Sequence, residues 1–132
     1  MAATYVPIAT TTTGSGVTSV TFSSIPATYT DLKIVFLAAS ASSASVFLRF
    51  NSDTGTNYSA TQLFGQGSVA SSQRWTNSAV PEFTYTTLLP SPFTFINLDI
   101  FNYAGSTNKT VLGTGSQDNN GSGGIAATVF LW

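Results

Sequence analysis

Short runs of strand-forming residues, separated at fairly even intervals by turn-forming residues, constrain the fold of this chain more than any other feature. Val, Ile, Thr, Phe and Tyr recur in runs of five to nine residues, with clusters of Gly, Pro, Asn, Asp and Ser between them. Good helix formers nowhere repeat at intervals of three and four residues. We therefore predict an all-β protein in which residues 1–132 form a single antiparallel β-sandwich, with a jelly roll as one candidate topology.

Alternation of apolar and polar residues sets the boundaries of the predicted strands. Residues 31–39 become apolar on both faces after Lys33, so we expect a central strand that forms a hairpin with the next one. Residues 69–79 are too polar to assign. The predicted strands are Tyr5 to Thr10 at an edge, Val17 to Phe22, Asp31 to Ala39, Val46 to Phe50, Ser59 to Phe64, Glu82 to Leu88, Phe93 to Tyr103, Lys109 to Gly113 and Ile125 to Trp132.

Formal charge is scarce, because the chain has only four Lys and Arg and five Asp and Glu, for a net charge of −1. An average globular domain is about 25% charged. Here 39 Ser and Thr residues supply most of the surface polarity. Four scattered cations cannot neutralise a run of phosphates, so we expect no nucleic-acid partner. The longest apolar stretch, residues 34–39, is far too short to span a bilayer, and we expect no membrane partner or secretory signal.

The chain contains no His and no Cys. Thiolate chemistry, Ser-His triads and the common zinc ligand sets all depend on these residue types. We therefore predict no catalytic residue, no cofactor and no metal, and expect that the protein is not an enzyme.

Two loops contain an acidic residue in a sequence that can be compared with known catalytic or calcium-binding motifs. Asp53-Thr54-Gly55 matches the tripeptide around the catalytic carboxylate of aspartic proteases. In those enzymes an apolar strand precedes the tripeptide, whereas here the polar residues Asn51-Ser52 precede it. A turn is the better interpretation. The oxygens of residues 51–57, like those of residues 118–120, include a single carboxylate, which is too few for a strong calcium loop.

Three further acidic residues, Asp31, Glu82 and Asp99, allow glycosidase activity as an alternative, because that chemistry needs two carboxylates at a set separation. Asp31 and Glu82 are expected at strand ends, where each is simply solvated. Asp99 lies in the most apolar predicted strand, so we expect it to pair with a cation such as Arg49 or Arg74.

Aromatic residues number 17, and most of the ten Phe are expected in the core. Trp75 lies beside Arg74 in a polar stretch. We expect it either to contact a sugar or a protein partner, or to pack over one open end of the fold. Trp132 beside Leu131 must pack within the fold or onto a neighbour. Four residues are therefore predicted as partner contacts: Arg74, Trp75, Leu131 and Trp132.

Three stretches of the first half resemble small virion proteins of tailed bacteriophages, notably those that infect aquatic hosts and cyanobacteria. They are Tyr5 to Thr10 (YVPIAT), Val20 to Leu32 (VTFSSIPATYTDL), and Leu48 to Asn51 (LRFN) with Asp53 to Ser59 (DTGTNYS). The family members tend to have a longer C-terminal end than this chain.

The resemblance implies a non-enzymatic structural protein of the virion. One expected role is a decoration or cement protein on the outer capsid surface, which binds the major capsid protein and copies of itself and stabilises the shell. The alternative is a tail-fibre or baseplate domain that binds host carbohydrate through Trp75, Tyr85 or Tyr103. We favour the first role, because contacts with few ion pairs tolerate changes in salt.

Overall fold

The computed structural model describes residues 5–80, 82–91, 93–118, 120–121 and 123–132, without the side chains of residues 83–87. None of the described residues is helical. Eight strands form, and every pairing between them is antiparallel. The strands are β1 (Leu32–Ala38), β2 (Ala44–Phe47), β3 (Tyr58–Gln66), β4 (Val69–Ser78), β5 (Glu82–Leu88), β6 (Thr94–Phe101), β7 (Thr110–Asp118) and β8 (Gly123–Leu131).

Six of the strands form one sheet in the order β1-β6-β7-β8-β3-β4, and β2 pairs with β5 in a separate two-stranded sheet. Strand β5 contacts β6, β7 and β8, so the smaller sheet packs over the middle of the larger one. The predicted all-β class and antiparallel pairing are confirmed. A full sandwich, and with it a jelly roll, is not confirmed, because the second layer has only two strands among the residues that the structure describes.

The core lies on one face of the six-stranded sheet, which we call the inner face. Alternate residues of each strand point to this face, as the two-residue period of a strand requires. Val46, Leu48 and Phe50, in and just after β2, pack against it from the second layer. The buried apolar residues at its centre are Ala60, Ile96, Leu98, Ile100, Val111 and Phe130.

Two buried polar side chains on the inner face satisfy each other. Gln62 Nε2 donates a hydrogen bond of 2.9 Å to Thr128 Oγ1. Gln62 Oε1 accepts one of 3.2 Å from Gln73 Nε2. The pairing offsets the cost of burying these groups, since an unsatisfied buried amide would destabilise the fold by about 1–3 kcal/mol.

The structure corrects two expectations about the middle of the chain. Strand β1 is an edge strand, and it pairs with β6 rather than forming a hairpin with β2. Its two apolar faces do not mean burial on both sides, because the residues that point away from the core are exposed. Most Phe residues were expected in the core, but four of those described are exposed: Phe22, Phe93, Phe95 and Phe101. Phe47, which was expected to point outward, is exposed as well.

The first part of the chain also differs from expectation. Neither Tyr5 to Thr10 nor Val17 to Phe22 forms a strand, and every residue from 5 to 24 is exposed. Strand-forming residues need a partner strand for their backbone groups, and within the described residues these stretches have none. Conversely, residues 69–78 form β4 despite their polarity, because β3 supplies a continuous partner along most of their length.

Replacement of Phe130 tests which face of β8 holds the core. Phe130 is fully buried, whereas its neighbour Leu131 points to the opposite face and is 42% exposed. We expect Phe130→Ala to lower the free energy of unfolding by about 3–5 kcal/mol and Leu131→Ala to lower it by about 1 kcal/mol. Denaturant titration measures both, and equal losses would contradict the assignment of the faces.

Candidate functional site

Two of the three acids considered for glycosidase chemistry, Asp31 and Asp99, make structural contacts, and the third, Glu82, lines a small cleft. Asp31 Oδ1 accepts a hydrogen bond of 2.8 Å from the backbone N–H of Asn102. Asp99 forms an ion pair of 2.6 Å with Lys33, which faces it across the β1–β6 ladder. Its partner is therefore Lys33 rather than Arg49 or Arg74. Within the described ranges, no group of three or more His, Cys, Asp or Glu is placed to hold a metal ion.

The Asp53 motif forms a turn between β2 and β3. Asp53 Oδ1 accepts from the Gly55 N–H at 2.8 Å, and Oδ2 accepts from Asn57 Nδ2 at 2.9 Å. The same Oδ2 accepts a hydrogen bond of 2.6 Å from the indole Nε1 of Trp132. The hydrogen bond from Asn57, followed by those from Trp132 and the Gly55 N–H, holds the pKa of the Asp53 carboxyl below its usual value.

Trp132 is thereby packed within the fold. Its ring stacks on Phe50, with centroids 5.1 Å apart, and on Tyr58 at 6.3 Å. Its backbone N–H donates to Lys109 O at 3.0 Å. The Asp53 turn thus holds the chain just beyond β8 against the loop after β2.

This arrangement predicts a pH dependence of stability. A carboxyl whose pKa is lower in the folded state stabilises the fold above its unfolded pKa of about 4, and that stabilisation is lost as the pH falls through the folded value. In a Trp75→Phe background, Trp132 is the only tryptophan and can be excited selectively. As the pH falls below about 4 and through the lower pKa of the folded Asp53 carboxyl, we expect Trp132 to be released.

The matched variant Asp53→Asn removes the titrating group. We expect it to be less stable than the parent at pH 7 and to lose less stability between pH 7 and acid conditions. Unfolding followed by Trp132 fluorescence at each pH provides the measurement. Parallel pH profiles in the two proteins would show that Asp53 does not carry the effect.

Trp75 lies on the inner-face side of β4 and packs against the core. It also lines a small cleft together with Tyr58, Ser78, Val80 and Glu82. Of the other aromatic residues proposed for sugar stacking, Tyr103 is half-buried and its hydroxyl donates to the carbonyl of Pro26. The side chain of Tyr85 lies outside the described residues.

The most unusual surface is the other face of the six-stranded sheet, which we call the outer face. An antiparallel sheet that packs on one side commonly presents polar residues on the other. Here the strand registers place four rows of outward-pointing residues side by side, and nine large apolar side chains in those rows are at least 40% exposed. They are Val35, Leu37, Leu63, Phe95, Phe101, Leu112, Ile125, Val129 and Leu131.

Charge on the outer face is confined to its sides. The four rows consist entirely of described residues, and their only charged members are the Lys33–Asp99 pair on β1 and β6 and Arg74 on β4. The middle strands β7, β8 and β3 contribute Ser, Thr, Ala and Gly between the apolar residues. An apolar centre with charges at the rim is the usual anatomy of a protein interface.

One end of the outer face forms an open groove. Gly65 and Gly124 line it, and the side chains of Phe93, Phe95 and Ile125 project beside them.

The structure divides the four predicted partner contacts into two pairs. Arg74 and Leu131 lie on the outer face, whereas Trp75 and Trp132 pack on the core side. The sequence analysis does not identify the other apolar residues of the outer face, because a strand that is apolar on both faces predicts a central strand buried on both sides. The repeated two-faced pattern in β1, β6 and β8 is the signal that marks this surface.

In comparisons with protein-family models, with curated proteins and with solved structures, no match to this chain was found. Within the described part of the chain, no helix has the length and hydrophobicity needed to cross a membrane.

Proposed function

We propose that this chain is a non-enzymatic structural protein of a bacteriophage virion that binds the major capsid protein on the outer surface of the capsid and stabilises the shell. The outer face supports this proposal, because it is a broad apolar area with charges only at its sides. Monomeric proteins rarely expose apolar patches larger than a few hundred Å². The resemblance to small phage virion proteins supplies the choice of partner.

The size of the outer face suits such a contact. Six strands at a spacing of about 4.8 Å and four rows about 7 Å apart give an area between roughly 500 and 800 Å². A standard protein interface buries about 800 Å² on each partner. The outer face is therefore large enough for one specific partner surface.

The scarcity of charge determines how that contact responds to solution conditions. An apolar interface with few ion pairs loses little when salt screens electrostatic attraction. Many copies arranged on a regular shell would also strengthen a modest affinity at each site, provided that neighbouring copies contact one another. Both properties suit a protein that stabilises an assembled particle.

Removal of the protein from purified particles is the direct test. We expect particles stripped of it to rupture at a lower temperature than intact particles, and expect added purified protein to restore the original temperature. The restored particles should keep their stability in about 1 M salt, where electrostatic screening is nearly complete. Equal rupture temperatures for stripped and intact particles would contradict the proposal.

A charge placed among the apolar residues of the outer face tests the surface itself. Leu63 is 64% exposed there, and Phe47 on the second sheet is 56% exposed. We expect Leu63→Asp to weaken binding to stripped particles at least tenfold, because the carboxylate would have to lose its water in an apolar contact. Phe47→Asp, which adds the same charge elsewhere, should bind normally. Similar losses in both variants would argue against the outer face.

A tail-fibre or baseplate domain that binds carbohydrate is the second candidate, and the cleft beside Trp75 favours it. There an aromatic ring lies with Ser78 and the carboxylate of Glu82, a combination that can stack on a sugar and accept hydrogen bonds from its hydroxyls. Selective binding on a glycan array, lost in Glu82→Gln while the fold is intact, would support this candidate. Loss of shell stabilisation in Leu63→Asp with no glycan binding would support the first.

A further inference from the structure

The large apolar residues of the outer face are distributed unevenly across the sheet. Four of the nine lie on β1 and β6, which we call the bulky side: Val35, Leu37, Phe95 and Phe101. Strands β3 and β4, which we call the small side, contribute Leu63 alone. The other outward-pointing residues of the small side are Ser59, Thr61, Gly65, Ala70, Ser72 and Arg74. The side chains therefore project further from the sheet on the bulky side than on the small side.

A two-fold axis parallel to the strands would match these two sides. Two-fold dimers use the same patch of both copies, so that patch has to be complementary to itself. The middle of the sheet order β1-β6-β7-β8-β3-β4 lies between β7 and β8. A second copy rotated about an axis parallel to the strands above this line sets its small side over the bulky side of the first copy, and the reverse. An axis perpendicular to the strands would set bulky side over bulky side.

The charged residues of the outer face are compatible with the same axis. Lys33, Asp99 and Arg74 lie in one row of the register, at the two sides of the face. The axis parallel to the strands brings Arg74 of each copy towards the Lys33–Asp99 pair of the other, so that Asp99 meets a second cation. The perpendicular axis would instead place the Asp99 residues of both copies over strand β6.

The area of the outer face is sufficient for a dimer. Two faces of roughly 500 to 800 Å² would together bury about 1,000 to 1,600 Å², and a specific interface buries at least about 1,000 Å². The two six-stranded sheets would then pack face to face about 10 Å apart, as the layers of a β-sandwich do. The second copy would supply the layer that a single chain lacks on this face.

The described part of the chain leaves this face open. The ring of Tyr5 lies 5.9 Å from Lys33 Nζ, at one side of the face. The nine large apolar residues are nevertheless at least 40% exposed. The segment that contains Tyr5 therefore does not cover them.

We propose that the outer face of one free copy packs against the outer face of a second copy, across a two-fold axis that runs parallel to the strands between β7 and β8. The inference goes beyond shell binding and does not depend on it. If the chain also binds the capsid through this face, the capsid and the second copy compete for one surface, and the dimer has to separate before the shell is bound.

A larger side chain on the small side tests the match in shape. A Cβ atom added at Gly65 would make ordinary van der Waals contacts, the nearest with Ile125 Cγ2 at 3.6 Å, so we expect Gly65→Leu to fold. The leucine would collide with the bulky side of the second copy. We therefore expect the dissociation constant of the dimer to rise at least about tenfold. Gly14→Leu, where no heavy atom lies within 4 Å of the added Cβ, should leave it unchanged.

Sedimentation equilibrium across a dilution series measures these dissociation constants. A monomer at every concentration of the unmodified chain would overturn the proposal and leave the outer face to another partner. Unchanged or tighter dimerisation of Gly65→Leu would also overturn it, because a face that is apolar without a matched shape gains from an added leucine. Ser72→Leu, at an exposed position of β4, repeats the test on the small side if Gly65→Leu does not fold.

Crosslinking between cysteine variants tests the direction of the axis. Val35 and Ser72 lie in one row on the two edge strands, and the chain has no cysteine of its own. The proposed axis brings Val35 of one copy near Ser72 of the other, and keeps the two Val35 residues five strand spacings, about 24 Å, apart. With a short bismaleimide, we expect a mixture of Val35→Cys and Ser72→Cys chains to give at least tenfold more crosslinked dimer than Val35→Cys alone.

An equal or higher yield from Val35→Cys alone would overturn the proposed arrangement in favour of an axis perpendicular to the strands. Both experiments use only the purified chain. Their failure would therefore leave the shell-binding proposal unaffected, and equal rupture temperatures of stripped and intact particles would leave the dimer unaffected.

Discussion

The antiparallel ladder from β6 through β7 and β8 to β3 is the constraint on which the rest of the molecule depends. It fixes which residues of each strand point to the core, because side chains alternate across the sheet and a shift of one residue would exchange the faces. Ile96, Val111, Phe130 and Ala60 meet on the inner face as a consequence. The same register necessarily brings the outward-pointing residues together, and so the outer face is built by the bonds that build the core.

The outer face leaves part of the apolar surface of the molecule exposed to solvent. One sheet face is closed by the two-stranded layer, and the other exposes large apolar residues such as Leu63 and Ile125. The Lys33–Asp99 pair lies at its side, where solvent screens the charges, and contributes little to stability. Contact with another protein would lower the free energy, because it would remove this exposed apolar surface from water. The lack of charge then makes that contact insensitive to salt.

Particular residues show how far the sequence could be interpreted. The Asp53 motif was correctly predicted as a turn, because Asn, Ser, Asp and Gly follow one another there and each favours turn conformations. The contact between Asp53 and Trp132 was not predictable, since 79 positions separate the two residues in the chain. Asp99 was expected to have a cationic partner, but the choice of Lys33 depends on the pairing of β1 with β6.

The sequence by itself determined the all-β class, the positions of most strands and the alternation within each of them, because strand propensity, alternation and turn residues act over a few neighbouring positions. Only the tertiary structure decided which strands became neighbours. That choice made β1 an edge strand, left residues 17–22 outside the strands that the described residues form, and exposed one apolar face while burying the other. Strand order depends on contacts between distant residues, and local patterns carry no information about which distant strand will pair.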